Sequence, residues 1–330
     1  MRRVRLLWPA LLSLLAILLG ACASGDREGH TEPEHLEPPL RAALDYLSEH
    51  VPRWRPENGC FSCHDNGDGA RALYTAARHG ASLPPDLDET TQWLRSPSEW
   101  KPLEAGSPFE DQELARLQFV TALLAAHLAG FAVEDATLAL AAELLASDQA
   151  EDGRFLAGSL VSLAAPTTWG PVLGTVMARG ALATIDPDRF AAVISRADAY
   201  LLDVPVFRVP DACALLLWGA RGGPLPDARA TEALELLERA QAPGGGFGPF
   251  VDAPVEPFDT ALAILALDSW RASREEPGLA ESILRARASL IASQLEDGSW
   301  NETTRPQPYT SHAQRLSTVA WATLSLLETR

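Results

Sequence analysis

Gln294-Leu295-Glu296-Asp297-Gly298-Ser299-Trp300 is one copy of a turn that recurs as Gln149-x3-Gly153-x-Phe155 and Gln241-x3-Gly245-x-Phe247, and more loosely as Arg55-x3-Gly59-x-Phe61. The glycines keep a near-constant interval once Gly106 is counted and the step from Gly153 to Gly245 is read as double, so a degenerate turn is expected near Val204 to Phe207. A repeat of this length is one supersecondary unit that buries its apolar face only by stacking on its neighbours.

Each turn sits between two helical patterns. The segment before it is amphipathic: in 227–241, Ala233, Leu234, Leu237 and Ala240 share one face, with Glu232, Glu235, Glu238 and Arg239 mostly turned away. The segment after it is apolar nearly all round, as in 212–218, 261–267 and 319–327, the mark of a helix buried on every side. The pairs are 39–50 with 68–79, 86–95 with 111–130, 133–147 with 166–183, 187–202 with 210–221, 226–241 with 258–272, and 276–294 with 312–328. No stretch alternates with period two for long enough to build a sheet. Outer amphipathic helices around inner apolar ones predict an all-α (α/α)6 toroid over residues 39–330, with Pro and Gly breaking the chain in the hairpin loops at 243–248, 254–257 and 306–308.

These turns resemble the QW repeats of the squalene cyclase and protein prenyltransferase superfamily, Gln294 to Trp300 above all. The resemblance covers residues 39–330 and implies that the Gln bonds helix-end backbone, the Gly makes the turn and the aromatic ring stacks beneath it. It speaks for the fold more than for a reaction. Class II cyclases of that superfamily use an Asp-x-Asp-Asp acid. The nearest string here, Asp86-Leu87-Asp88-Glu89, departs at its last position and opens an outer helix, where capping is its expected job. The prenyltransferases hold zinc with an Asp-x-Cys pair and a His on the following inner helix. Asp211-Ala212-Cys213 matches the first part, but the next inner helix begins Phe258-Asp259-Thr260 without a His, so a zinc site would have to recruit the distant His312. The alternative for Cys213 is a small buried side chain. Other (α/α)6 toroids act on polysaccharides with paired carboxylates and aromatic platforms, which Asp111, Asp211 and Asp259 with Trp169 and Trp300 could supply. The nearly all-apolar inner helices instead favour a small apolar ligand, or a cavity filled by the protein's own rings.

The N-terminus adds an address. Arg2, Arg3 and Arg5 precede an apolar run of secretory length that ends in Leu19-Gly20-Ala21-Cys22, which resembles a bacterial lipobox. Residues 1–21 are expected to be a lipoprotein signal peptide and Cys22 the lipidated residue, anchoring the protein to a membrane of the cell envelope through acyl chains. Ala23 favours the outer membrane, and the alternative is an ordinary signal peptide with an incidental cysteine. Residues 22–38, rich in charge, Pro and Gly, read as a disordered tether. The formal net charge of −17 repels phosphate backbones, so nucleic acid is not an expected partner.

The most pointed chemistry lies in Cys60-Phe61-Ser62-Cys63-His64. This is the attachment pattern of a c-type haem, in which two thiols form thioethers and the following His ligates the iron. A Cys60–Cys63 disulfide and a metal pair compete with it, and export permits both haem attachment and the disulfide. In a toroid the starts of the inner helices converge on one mouth, gathering Cys60, Cys63, His64, Asp65, Asp68, Asp111, Asp211, Cys213, Asp259 and His312. Each aspartate there is well placed as an N-cap. His79, His127 and Met177 lie deep in their helices, whereas ring closure sets His312 beside His64 and makes it the expected second axial ligand. A solvated His312 and five-coordinate iron is the alternative, better suited to ligand binding or peroxide chemistry than to electron transfer. The expected function is redox or ligand-sensing chemistry at the cell envelope with an envelope redox partner. The rival is a haem-free or zinc-bearing binding module for an apolar or glycan ligand.

Overall fold

The computed structural model describes residues 36–100, 111–156, 163–303, 305 and 310–329. The signal, Cys22, most of the tether and Gly106 lie outside the described residues. Within them are twelve α-helices and no β-strand: α1 (Pro38–Asn58), α2 (Ala70–Arg78), α3 (Asp88–Leu94), α4 (Gln112–Leu128), α5 (Asp135–Ala146), α6 (Gly170–Ile185), α7 (Ala191–Leu202), α8 (Val209–Ala220), α9 (Asp227–Ala240), α10 (Pro257–Arg274), α11 (Ala280–Ala292) and α12 (His312–Glu328). The even-numbered helices form an inner ring, each packed on the next, and α12 returns to α2. The odd-numbered helices lie outside. The fold is an (α/α)6 toroid.

Burial follows the two sequence patterns. Outer α9 buries Ala230, Ala233, Leu236, Leu237 and Ala240 along one stripe, whereas inner α8 buries every residue from Val209 to Trp218. The repeated turns lock one outer helix to the next. Gln149 Nε2 donates to the carbonyls of Gly153 and of Val193 on α7, both at 2.9 Å. Gln241 does the same with Gly245 and Ser282 on α11, and Gln294 with Gly298 and Pro39 on α1. The last of these closes the ring, because it ties the sixth unit to the first helix. Phe155, Phe247 and Trp300 are fully buried beneath their turns. The backbone N–H of Phe155 and of Phe247 donates to a threonine in an early turn of the inner helix that follows, Thr175 and Thr260.

Four details depart from the sequence reading. Helix α1 runs past Pro52 and Pro56, the point where helix-breaking chemistry would stop it. Trp54 stacks on His312 at 5.2 Å and Arg53 pairs with both Glu49 and Glu57, so contacts across those turns offset the lost backbone bonds. The first inner helix starts early, as a π-helical stretch from Cys63 to Gly69 that leads into α2, so Cys63 and His64 sit on the helix itself and not in the loop before it. The Arg55–Phe61 turn is only partly homologous: no atom lies within 4 Å of a side chain added at Gly59, and Phe61 is held by stacking on Trp93 at 4.2 Å. Finally, the end of the expected tether belongs to the ring, with Leu36 against the core and Glu37 paired to Arg287 at 3.0 Å.

Candidate functional site

The start of the first inner helix carries a polar column that runs down the ring axis. Ser62 caps it, its Oγ accepting from the N–H groups of His64 and Asp65 at 3.1 and 3.3 Å. Cys60 and Cys63 are half-buried free thiols, and burial, reinforced by the nearby Asp68 and Asp111 carboxylates, pushes the Cys63 thiol well up. His64 Nδ1 lies 3.1 Å from Ser317 Oγ on α12, and Ser317 donates its own hydrogen to Asp68 Oδ2 at 2.9 Å. With Asp68 ionised the one hydroxyl hydrogen goes to it, and His64 is then the donor to Ser317. That fixes the tautomer with the proton on Nδ1 and leaves the lone pair on Nε2. Burial also lowers His64 to about 4, which keeps the ring neutral above that pH.

Asp68 Oδ2 also accepts from Gln118 Nε2 at 3.0 Å, while its buried Oδ1 has no hydrogen-bond partner among the described residues, and Asp65 accepts from His312 Nε2 at 2.8 Å. The Asp65 hydrogen bond raises His312, so this pair is an imidazole held by a buried carboxylate. Ring closure does bring the start of α12 beside His64. The Nε2 expected to reach iron is, however, committed to Asp65, and the ring face to Trp54. Across the same mouth, Arg305 pairs with Glu256 and with Asp259 Oδ1 (2.6 Å), and donates to the carbonyl of Ala164.

The other candidates are placed as follows. Asp111 is an N-cap, accepting from Leu114 N–H at 2.9 Å. Asp211 and Asp259 are not: each is the third residue of its helix, behind an early proline, and makes no capping bond. Asp86 and Asp88 are exposed at the start of α3 on the outside of the ring, also without a capping bond. Among the described residues no three His, Cys, Asp or Glu side chains gather as a metal-holding group; Cys213 is fully buried, and Asp211 lies 3.9 Å from Arg208. Trp169 and Trp300 are fully buried, so neither offers a platform to a sugar. His79 lies at the opposite mouth, 3.6 Å from Glu328, and His127 Nδ1 lies 3.2 Å from the Val133 carbonyl.

Ser317, Gln118, Arg71 and Arg305 went unnoticed in the sequence. For the first three a weak signal existed, a polar side chain within an inner helix of the ring. Arg305 lies in a loop and had none.

The central cavity, about 700 Å³, is lined from the C-terminal halves of the inner helices, by Thr121 and Leu128 of α4, Met177 of α6, Leu265 of α10 and Leu324 of α12 among others. It therefore opens at the end opposite Cys60, Cys63 and His64, contrary to the expectation that these residues flank its mouth. The reason is packing. The N-terminal ends are crossed by Arg305 and filled by polar side chains, whereas the far ends are lined by leucines and by arginines at the rim.

Burial pushes Asp68 and Asp259 up to about 7, and Asp211 and Asp148 to about 6. Such a carboxyl favours the fold while protonated in both states, and that contribution is lost as pH rises from the unfolded value through the folded one. His64 acts in the opposite sense, its contribution being lost as pH falls below its unfolded value of 6.5. With more raised aspartates than lowered histidines, the thermal midpoint is expected to be several degrees higher near about pH 5.5 than at about pH 8. Calorimetry at the two pH values checks this, and a midpoint that rises toward pH 8 would show the aspartates to be ionised in the fold.

No family model and no curated protein matches the chain. Among solved structures, it is similar to the type II terpene cyclase MstE from Scytonema, at 15% identity over 88% of this chain and 96% of that one, with a TM-score of 0.55. A variant of that cyclase in complex with its substrate geranylgeranyl dihydroxybenzoate gives 15% identity over 88% and 96%, with a TM-score of 0.54. A possible member of the GH105 family from Klebsiella pneumoniae gives 14% identity over 90% and 94%, with a TM-score of 0.56. Likeness at this identity is likeness of fold, and the fold carries more than one chemistry.

Proposed function

We propose that this toroid is an exported, lipid-anchored envelope protein that carries one covalent haem on Cys60, Cys63 and His64, and that its role is ligand sensing or redox chemistry. The observation that carries this reading is the state of His64. Its Nδ1 lies against Ser317, its Nε2 has no hydrogen-bond partner among the described residues, and the two free thiols of the attachment pattern stand in the same segment. A neutral imidazole oriented through one nitrogen by a second residue is the arrangement in which the other nitrogen ligates a metal. The donor set therefore fits a haem through the two thiols and His64. His312 supports it less, since Asp65 holds its Nε2, and one protein axial ligand is the arrangement proposed. A haem held by Cys60, Cys63 and His64 would supply redox chemistry or the binding of a small exogenous ligand. Ser317 and Asp68 orient His64, and the Asp65–His312 pair stands beside the site as a fixed polar wall. Attachment is assigned to Cys22 and its acyl chains on the lipobox-like Leu19-Gly20-Ala21-Cys22.

The test is expression with a haem-attachment system. The purified protein should show a Soret band that survives acid-acetone extraction. Exchanging both Cys60 and Cys63 for serine should make the haem extractable, and His312→Ala should leave the spectrum unchanged. A colourless wild-type protein in which Cys60 and Cys63 are joined to each other would overturn the proposal.

A further inference from the structure

The floor of the central cavity is an arginine. The Arg71 guanidinium lies between two indoles, 4.9 Å from the centre of Trp169 and 4.4 Å from that of Trp321, and the residue is 6% exposed. Among the described residues its Nε and Nη2 have no hydrogen-bond partner, nor has the Trp321 Nε1, and both residues line the cavity. A buried donor without an acceptor costs about 1–3 kcal/mol, more when charged, so this group is not explained by packing alone. Asp68 stands 3.5 Å from Arg71 Nη2, too far for a hydrogen bond. Burial pushes Asp68 to about 7, so at neutral pH it offsets only part of the guanidinium charge.

The rim repeats the imbalance. Arg78 is paired with Glu328 at 2.7 Å, Arg179 with Asp198 at 3.0 Å, and Asp268 with Arg271 at 2.6 Å. Arg221 has no carboxylate within ion-pair distance among the described residues; its Nη1 lies 3.8 Å from Met177 Sδ. Between floor and rim the walls are apolar, from Leu124, Met177, Leu217, Leu265 and Leu324. A chain of net charge −17 thus keeps in a greasy chamber of ligand size one arginine with no carboxylate in ion-pair distance among the described residues, Arg221, and one, Arg71, whose ion pair to Asp68 leaves Nε and Nη2 without a hydrogen bond.

We infer that the central cavity binds an amphipathic anion, a carboxylate or phosphate head on an apolar body, with the head on Arg71 and the Trp321 N–H, Arg221 guiding entry, and the body against the leucine walls. The planar fork of arginine suits either head, and a charge-assisted bond in a low-dielectric floor is stronger than one at the surface. Asp68, which accepts from Ser317 and stands beside Arg71, links this site to the His64 network, but no residue lining the cavity is a proposed haem donor.

Calorimetric titration of the full chain with dodecanoate, dodecyl phosphate and dodecanol tests the inference. At least one of the two anions should bind about tenfold more tightly than the alcohol, and the tighter one identifies the head. Arg71→Met should abolish the preference for the anion. Arg221→Met, at an exposed position on which the fold does not rely, should weaken the anion several-fold and leave dodecanol unchanged. Equal affinity for all three, no binding of either anion, or anion binding undiminished by Arg221→Met would overturn it.

Discussion

Arg305→Met is expected to lower stability by about 3–5 kcal/mol at about pH 8, and by much less near about pH 5. The guanidinium bonds Oδ1 of Asp259, which is fully buried, together with Glu256 and the carbonyl of Ala164, and so joins the loops that enter α6, α10 and α12. Methionine keeps much of the volume and leaves a buried carboxylate without its partner. At acid pH the carboxyl takes a proton and the penalty shrinks. Urea unfolding of both proteins at the two pH values measures the difference. An equal loss at both would mean that Arg305 acts through packing and not through charge.

Gly298→Ala is expected to cost about 3 kcal/mol or more, the sum of a strained backbone and an unrelieved clash. Gly298 has φ of 84°, where a side chain is disfavoured, and an added Cβ would come within 2.2 Å of the Ala42 carbonyl oxygen on α1. That carbonyl belongs to a helix which Gln294 ties to the same turn through Pro39, so it cannot move away without opening the ring. Gly59→Ala is the control. Its φ is 73°, yet nothing lies within 4 Å of the new Cβ, and a cost of about 1 kcal/mol is expected from the backbone alone. Denaturant unfolding of the two variants compares them, and equal losses would remove the ring-closing contact from the explanation.

The repeated turns were legible because their chemistry is local. A glutamine six residues ahead of a buried aromatic, with a glycine between at positive φ, does the same job in three places, with Val193, Ser282 and Pro39 as the successive partners. The copy at Arg55 was overread, since it shares the glycine and the aromatic but lacks the amide that reaches the next helix. The aspartates at inner-helix starts were read as caps by type, and only Asp111 caps. Early prolines at Pro210 and Pro257 shift Asp211 and Asp259 past the capping position, so a residue's distance from the true helix start mattered more than its identity.

The partners of the candidate site followed a different logic. His64, Ser317, Asp68 and Gln118 come from three inner elements far apart in sequence, and nothing in the spacing of any one of them names the others. His312 reached the expected neighbourhood because ring closure dictates it. Its contact there is Asp65, a residue weighed only as a cap.

The amino-acid sequence by itself determined six helical hairpins and their closure into a ring, since periodicity, turn chemistry and apolar content act over a few residues and repeat. Tertiary structure alone decided which mouth of that ring is open, which nitrogen of His64 is free, and that Arg71 lacks a hydrogen-bond acceptor. Each of those depends on side chains from several helices meeting at one point, and the volume and hydrogen bonds left over there are a property of the assembled ring.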